Sequence, residues 1–128
     1  MRRALLVAAA LAALPSCGPG VPDFSGTWRM TETDRECKHE YSHCFVLIQQ
    51  RGDRATLHAW GAGDDWSCEG RGSVEGGRLK FRWEGTKKNW RGTSELERSG
   101  NELRGTYQRD EAGAALQYCK GLLESPAR

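Results

Sequence analysis

Between residues 24 and 122 the chain keeps returning to one pattern, apolar and polar residues in alternation, and a period of two belongs to half-buried strands rather than to helices. Over residues 78–84, Leu79, Phe81 and Trp83 fall on one side and Lys80, Arg82 and Glu84 on the other. Residues 102–108 set Leu103, Gly105 and Tyr107 against Glu102, Arg104 and Thr106. Phe24, Gly26, Trp28 and Met30 alternate in the same way with Ser25, Thr27 and Arg29. Residues 45–48 are continuously apolar with β-branched members, as in a strand covered on both faces. The pattern predicts an all-β domain of eight strands, at about 24–32, 44–50, 54–60, 67–75, 78–84, 91–98, 102–108 and 115–122.

The connections carry the next constraint. Arg51-Gly52-Asp53, Gly76-Gly77 and Ser99-Gly100-Asn101 have the composition of tight hairpin turns, where Gly and Asn accept positive φ. The others, 33–43, 61–66, 85–90 and 109–114, are longer, and tight and long connections alternate strictly. In an up-and-down antiparallel meander, successive connections lie at opposite ends. Every tight turn then falls at one pole and every long loop at the other. Eight strands suffice to close a barrel around side chains or one small ligand. A two-sheet β-sandwich is the alternative with the same strands.

Gly26-Thr27-Trp28 at the start of the first strand matches Gly-x-Trp, and with the meander of one closed and one open end the chain resembles the lipocalin-like (calycin) barrels. The resemblance implies an architecture and no particular ligand. Trp28 is expected to plug the core at the closed end.

The N-terminus predicts an address. Arg2 and Arg3 precede an apolar run from Ala4 to Leu14, too short for the roughly 20 residues that span a bilayer, and Pro15 ends it. Leu14-Pro15-Ser16-Cys17 resembles the bacterial lipobox. That resemblance implies a signal peptide over residues 1–16, a Cys17 acylated with chains such as palmitate, a tether over 17–23 and one domain over 24–124. It also implies a membrane partner through the lipid anchor. Gly18 follows the cysteine and no Asp does, which by analogy with Gram-negative sorting favours the outer membrane, periplasmic or surface-exposed. Ordinary cleavage and a free secreted domain is the alternative.

Loss of 16 residues from 128 leaves 112, enough for one domain with a modest core. Without Arg2 and Arg3 the 19 basic residues become 17, equal to the 17 acidic ones. A balanced chain with no basic stripe gives no reason to expect nucleic acid, and a monomer is expected. Lipidation of Cys17 leaves Cys37, Cys44, Cys68 and Cys119, an even set in an oxidising compartment, so two disulfides are expected. The preferred pairing is Cys37–Cys119 with Cys44–Cys68, with Cys119 facing outward because Leu116 and Tyr118 of opposite parity are taken as inward. Cys37–Cys44 is the runner-up.

His39-Glu40-Tyr41-Ser42-His43 spells H-E-x-x-H. A zinc peptidase would need this segment helical, with His39 and His43 as ligands on one face and Glu40 as base. A cysteine–histidine site from Cys37, His39, His43 and Cys44 is a second metal option, ranked below disulfides. Gly61-Ala62-Gly63-Asp64-Asp65 lacks the ligand spacing of a calcium loop and is taken as an acidic turn. No cofactor motif is present. Trp60, Trp66 and Trp90 fall in or beside the long loops, with Tyr41 and His58 nearby. Aromatics with a polar handle at a barrel mouth suit a small apolar or amphipathic ligand. The expectation is therefore a non-enzymatic, membrane-anchored binding protein. A structural or protein-interaction lipoprotein with a solid core is the alternative, and the zinc peptidase a third.

Overall fold

The computed structural model describes residues 21–61, 63, 66–86 and 90–126, with backbone alone for residues 41 and 42. The signal, Cys17 and the Asp64-Asp65 pair lie outside the described residues. Eight strands form: β1 (Gly26–Thr33), β2 (Glu40–Arg51), β3 (Arg54–Gly61), β4 (Ser67–Glu75), β5 (Arg78–Gly85), β6 (Arg91–Ser99), β7 (Glu102–Arg109) and β8 (Gln117–Pro126). Each pairs antiparallel with the next, and β8 returns to β1, so the sheet is a closed barrel rather than a sandwich. Closure leaves no unpaired edge for another chain to extend.

The tight turns do gather at one pole. At Gly76-Gly77 both residues have positive φ (60° and 81°), the backbone of a two-residue hairpin turn that twists with its strands. The long connections lie at the other pole. The boundaries differ from expectation mainly in β2, which begins at Glu40 and so shortens the first loop, and in β8, which runs from Gln117 to Pro126 rather than over 115–122.

Strand pairing fixes which side chains enter the barrel. Gly26, Trp28, Met30 and Glu32 of β1 face in, opposite Ile48, Val46 and Cys44 of β2. Leu79, Phe81 and Trp83 of β5 face in opposite Val74, Gly72 and Gly70. Outward on β5 stand Arg78, Lys80, Arg82 and Glu84, the reverse of the apolar outer band of a membrane-spanning barrel. Among the described residues no helix is long and apolar enough to cross a membrane.

The closed pole is packed solid. Phe24, Trp28, Ile48, Leu79 and Leu103 are all fully buried. The Trp28 indole N–H donates to the Phe24 carbonyl at 2.9 Å, so this buried donor is satisfied. The chain before β1 is folded across the pole and tied there. The Phe24 N–H donates to Gln50 Oε1 at 2.8 Å, and Gln50 Nε2 donates to the Pro22 carbonyl at 2.8 Å. Arg98 lies over the Trp28 ring at 5.1 Å and donates to the Asp23 carbonyl at 2.6 Å.

One orientation departs from expectation. Cys119 pairs with Glu32 and with Gly105, both inward residues, so it faces into the barrel and is buried. Leu116, taken as inward, precedes β8 and is exposed. The inward series of β8 is Gln117, Cys119, Gly121 and Leu123, in which polarity barely alternates, so its parity was not encoded in hydrophobicity.

Candidate ligand-binding site

The open half of the barrel is hollow. Its cavity measures about 820 Å³ and opens between the long loops. The cause is the size of the inward residues. Trp28, Ile48 and Leu79 fill the closed half, whereas Ala59, Gly70, Gly92 and Ser94 stand at inward positions higher up. An eight-strand barrel is just wide enough for its side chains to fill it, so small residues leave space.

Two loops place tryptophans in the mouth by the same local device. The Gly61 N–H donates to the Trp66 carbonyl at 3.1 Å, and the Gly85 N–H donates to the Trp90 carbonyl at 2.5 Å. Each hydrogen bond closes a six-residue loop that begins with Gly and ends with Trp. In each the indole folds back over its own glycine, occupying the space a Cβ would take. The two rings meet edge to face, 5.1 Å between centroids and 89° between planes. Trp90 also meets Trp83 at 5.4 Å, and Trp83 meets Tyr107 at 6.4 Å. Trp83 Nε1 donates to Ser94 Oγ at 3.0 Å. The Trp90 indole nitrogen is buried and has no hydrogen-bond partner among the described residues.

The polar groups of the wall are few. The Tyr107 hydroxyl donates to Glu32 Oε2, and burial followed by this hydrogen bond holds the phenol protonated well above its ordinary range. Arg109 lies at the rim, 5.4 Å above the Trp90 ring and 3.9 Å from Glu111.

The anticipated residues divide between the two faces. Trp66 and Trp90 line the cavity. Trp60 and His58 belong to β3, where Leu57, Ala59 and Gly61 face in, so both project outward; Trp60 stacks on Phe45 at 5.7 Å and on His58 at 5.5 Å. His58 Nδ1 lies 2.6 Å from Glu69 Oε2. Tyr41 lies in β2, and its side chain is outside the described residues. Trp83, Phe81 and Tyr107 were missed as wall residues although their parity was legible. The repeated Gly-x4-Trp of residues 61–66 and 85–90 was the unused signal.

The H-E-x-x-H segment is not helical. Residues 34–39 form a turn, and Glu40 opens β2. At about 3.3 Å of rise per residue, His39 and His43 stand roughly 13 Å apart, too far to share a metal. His39 Nδ1 lies 2.7 Å from Asp34 Oδ2, and Glu40 pairs with Lys120 at 3.0 Å. Among the described residues no group of three or more His, Cys, Asp or Glu is placed to hold a metal ion.

The expected disulfides are not formed, and Cys37, Cys44, Cys68 and Cys119 are all free. Cys44, Cys68 and Cys119 face inward from β2, β4 and β8. A strand separates each from the next, β1 between Cys119 and Cys44 and β3 between Cys44 and Cys68. Two strand spacings of about 4.8 Å exceed the Cα separation of about 7 Å that a disulfide can bridge. Cys37 sits in the turn after β1 at φ 58°, where its sulfur accepts from the hydroxyl of the buried Thr33 at 3.7 Å.

Burial pushes the Cys44 and Cys119 thiols up to about 12, and Cys68 to about 11, each aided by a negative neighbour. The folded state holds these protons more tightly than an unfolded chain with thiols near 9.0. Stability from this source is complete below pH 9 and is lost as pH rises through 11 to 12. At pH 8 the folded protein is expected to react with iodoacetamide at these three positions at least about tenfold more slowly than in urea. In urea without reductant, four thiols besides Cys17 should titrate; a count of two or none would restore the disulfides. The chain matches no protein-family model, no curated protein and no solved structure.

Proposed function

We propose that this chain is a lipid-anchored, lipocalin-like barrel that holds a small apolar or amphipathic ligand in its open half and catalyses no reaction. One observation carries the reading: a cavity of about 820 Å³, within the range of small-molecule sites, whose rim is built from aromatic rings presented by two loops of the same design. The tether enters at the closed pole, so an anchor at Cys17 would turn the mouth away from the outer membrane.

Titration with N-phenyl-1-naphthylamine tests this. The dye should bind saturably, quench intrinsic tryptophan fluorescence and brighten. Replacing Trp90 with Ala should weaken it about tenfold, the order expected for one aromatic wall of an apolar site. Trp60→Ala, on the outer face, should leave it unchanged. A folded protein that leaves this probe and a panel of lipids and aromatic metabolites unbound would end the proposal.

A further inference from the structure

The charges inside the mouth are not matched. Arg109 is balanced by Glu111 at 3.9 Å and by the Trp90 ring beneath it. Glu32 has no such partner. It faces inward from β1 onto the cavity, where among the described residues its one hydrogen bond comes from Tyr107 and no cationic side chain forms an ion pair with it. A phenol solvates one oxygen of a carboxylate but brings no countercharge. A carboxylate drawn partly out of water is poorly stabilised without a cation.

The neighbouring wall favours the same charge. Trp66, Trp83, Trp90 and Tyr107 form a connected set of rings with centroids 5.1 to 6.4 Å apart. Aromatic faces carry negative quadrupoles that attract ammonium and guanidinium groups, and the Arg109 side chain already uses one of them. Deeper in, Met30, Leu57 and Leu96 supply an apolar floor. We propose that the occupant is an aryl-alkyl ammonium, with its cation against Glu32 and the aromatic rings and its apolar body in the barrel. This rests on the cavity proposed above as a binding site, and it names the ligand's charge.

Three probes of one shape separate the two ideas: 1-naphthylmethylamine, 1-naphthalenemethanol and 1-naphthoate, each titrated by tryptophan quenching and by calorimetry. The amine should bind about tenfold more tightly than the alcohol, as one charge interaction in a partly solvated site allows, and the advantage should shrink as salt rises. Glu32→Gln keeps the side chain's shape and its acceptor for Tyr107 while removing the charge. It should abolish the amine's advantage over the alcohol. Equal binding of amine and alcohol, tighter binding of naphthoate, or an advantage that survives Glu32→Gln would overturn the cation while leaving the cavity reading intact. Silence from all three probes would overturn both. Should Glu32→Gln fail to fold, the amine-to-alcohol ratio of the unmodified protein decides alone.

Discussion

Truncating Trp28 to alanine is expected to cost about 3–5 kcal/mol, the range for removing a buried tryptophan. Its side chain is fully excluded from water, between Phe24, Ile48 and Leu103 at the closed pole. The change removes that apolar contact, leaves the Phe24 carbonyl without its donor and strips the ring from beneath Arg98. A domain of this length has roughly 5–15 kcal/mol in total, so the loss is a large part of the whole. Urea unfolding followed by circular dichroism measures it directly. Trp60→Ala is the matched control. Trp60 lies on the outer face, stacked on Phe45 and His58, and should cost about 1 kcal/mol or less. Similar losses from the two substitutions would mean that the closed pole is not the core.

Gly105→Ala should cost about 3 kcal/mol by overpacking, although it adds only one methyl group. A Cβ at this inward position would overlap the carbonyl oxygen of Glu95 on the paired strand and sit 2.8 Å from Leu96 Cδ2. The obstacle is backbone, which has no other rotamer to adopt, so relief requires β6 and β7 to part. Amide exchange should accelerate along the pairing of Leu96 with Gly105 before it does elsewhere in the barrel. Gly63→Ala is the control, since a Cβ there meets nothing within 4 Å. A neutral Gly105→Ala would mean that β6 and β7 part without cost at this position.

These two positions also mark the limits of what polarity encodes. Trp28 and Gly105 both fall on the inward face of their strands, as alternation implied. The wall of the cavity was half legible. Alternation aligns Leu79, Phe81 and Trp83 on one face, but the contribution of Phe81 and Trp83 to the site was not recognised because an inward tryptophan in a strand usually means core. Here Trp83 stands beside Gly70 and Gly92, and the space those glycines leave is what makes it a wall. Trp60 misled in the opposite sense. Proximity to a loop suggested the mouth, whereas a single step of parity put it outside.

The cysteines show a further gap. Their number and compartment suggested two bridges, and on sequence alone any pairing was open. Bridging depends on the distance between strands that are not neighbours, and that distance is set by how the sheet closes. Cys119 and Cys44 both flank β1 from within, one from each side, and that intervening strand keeps them apart.

Taken alone, the sequence determined the number of strands, most of their boundaries, the placement of turns and loops at opposite poles, and the facing of β1, β5 and β7. All of these are local properties, fixed by a period of two and by residues that tolerate positive φ. The tertiary structure alone decided that β8 closes on β1, that Cys119 faces in, that the thiols stay apart and that one half of the interior is empty. Each of those depends on distances across the barrel and on summed side-chain volumes from eight strands, which no single segment of the chain contains.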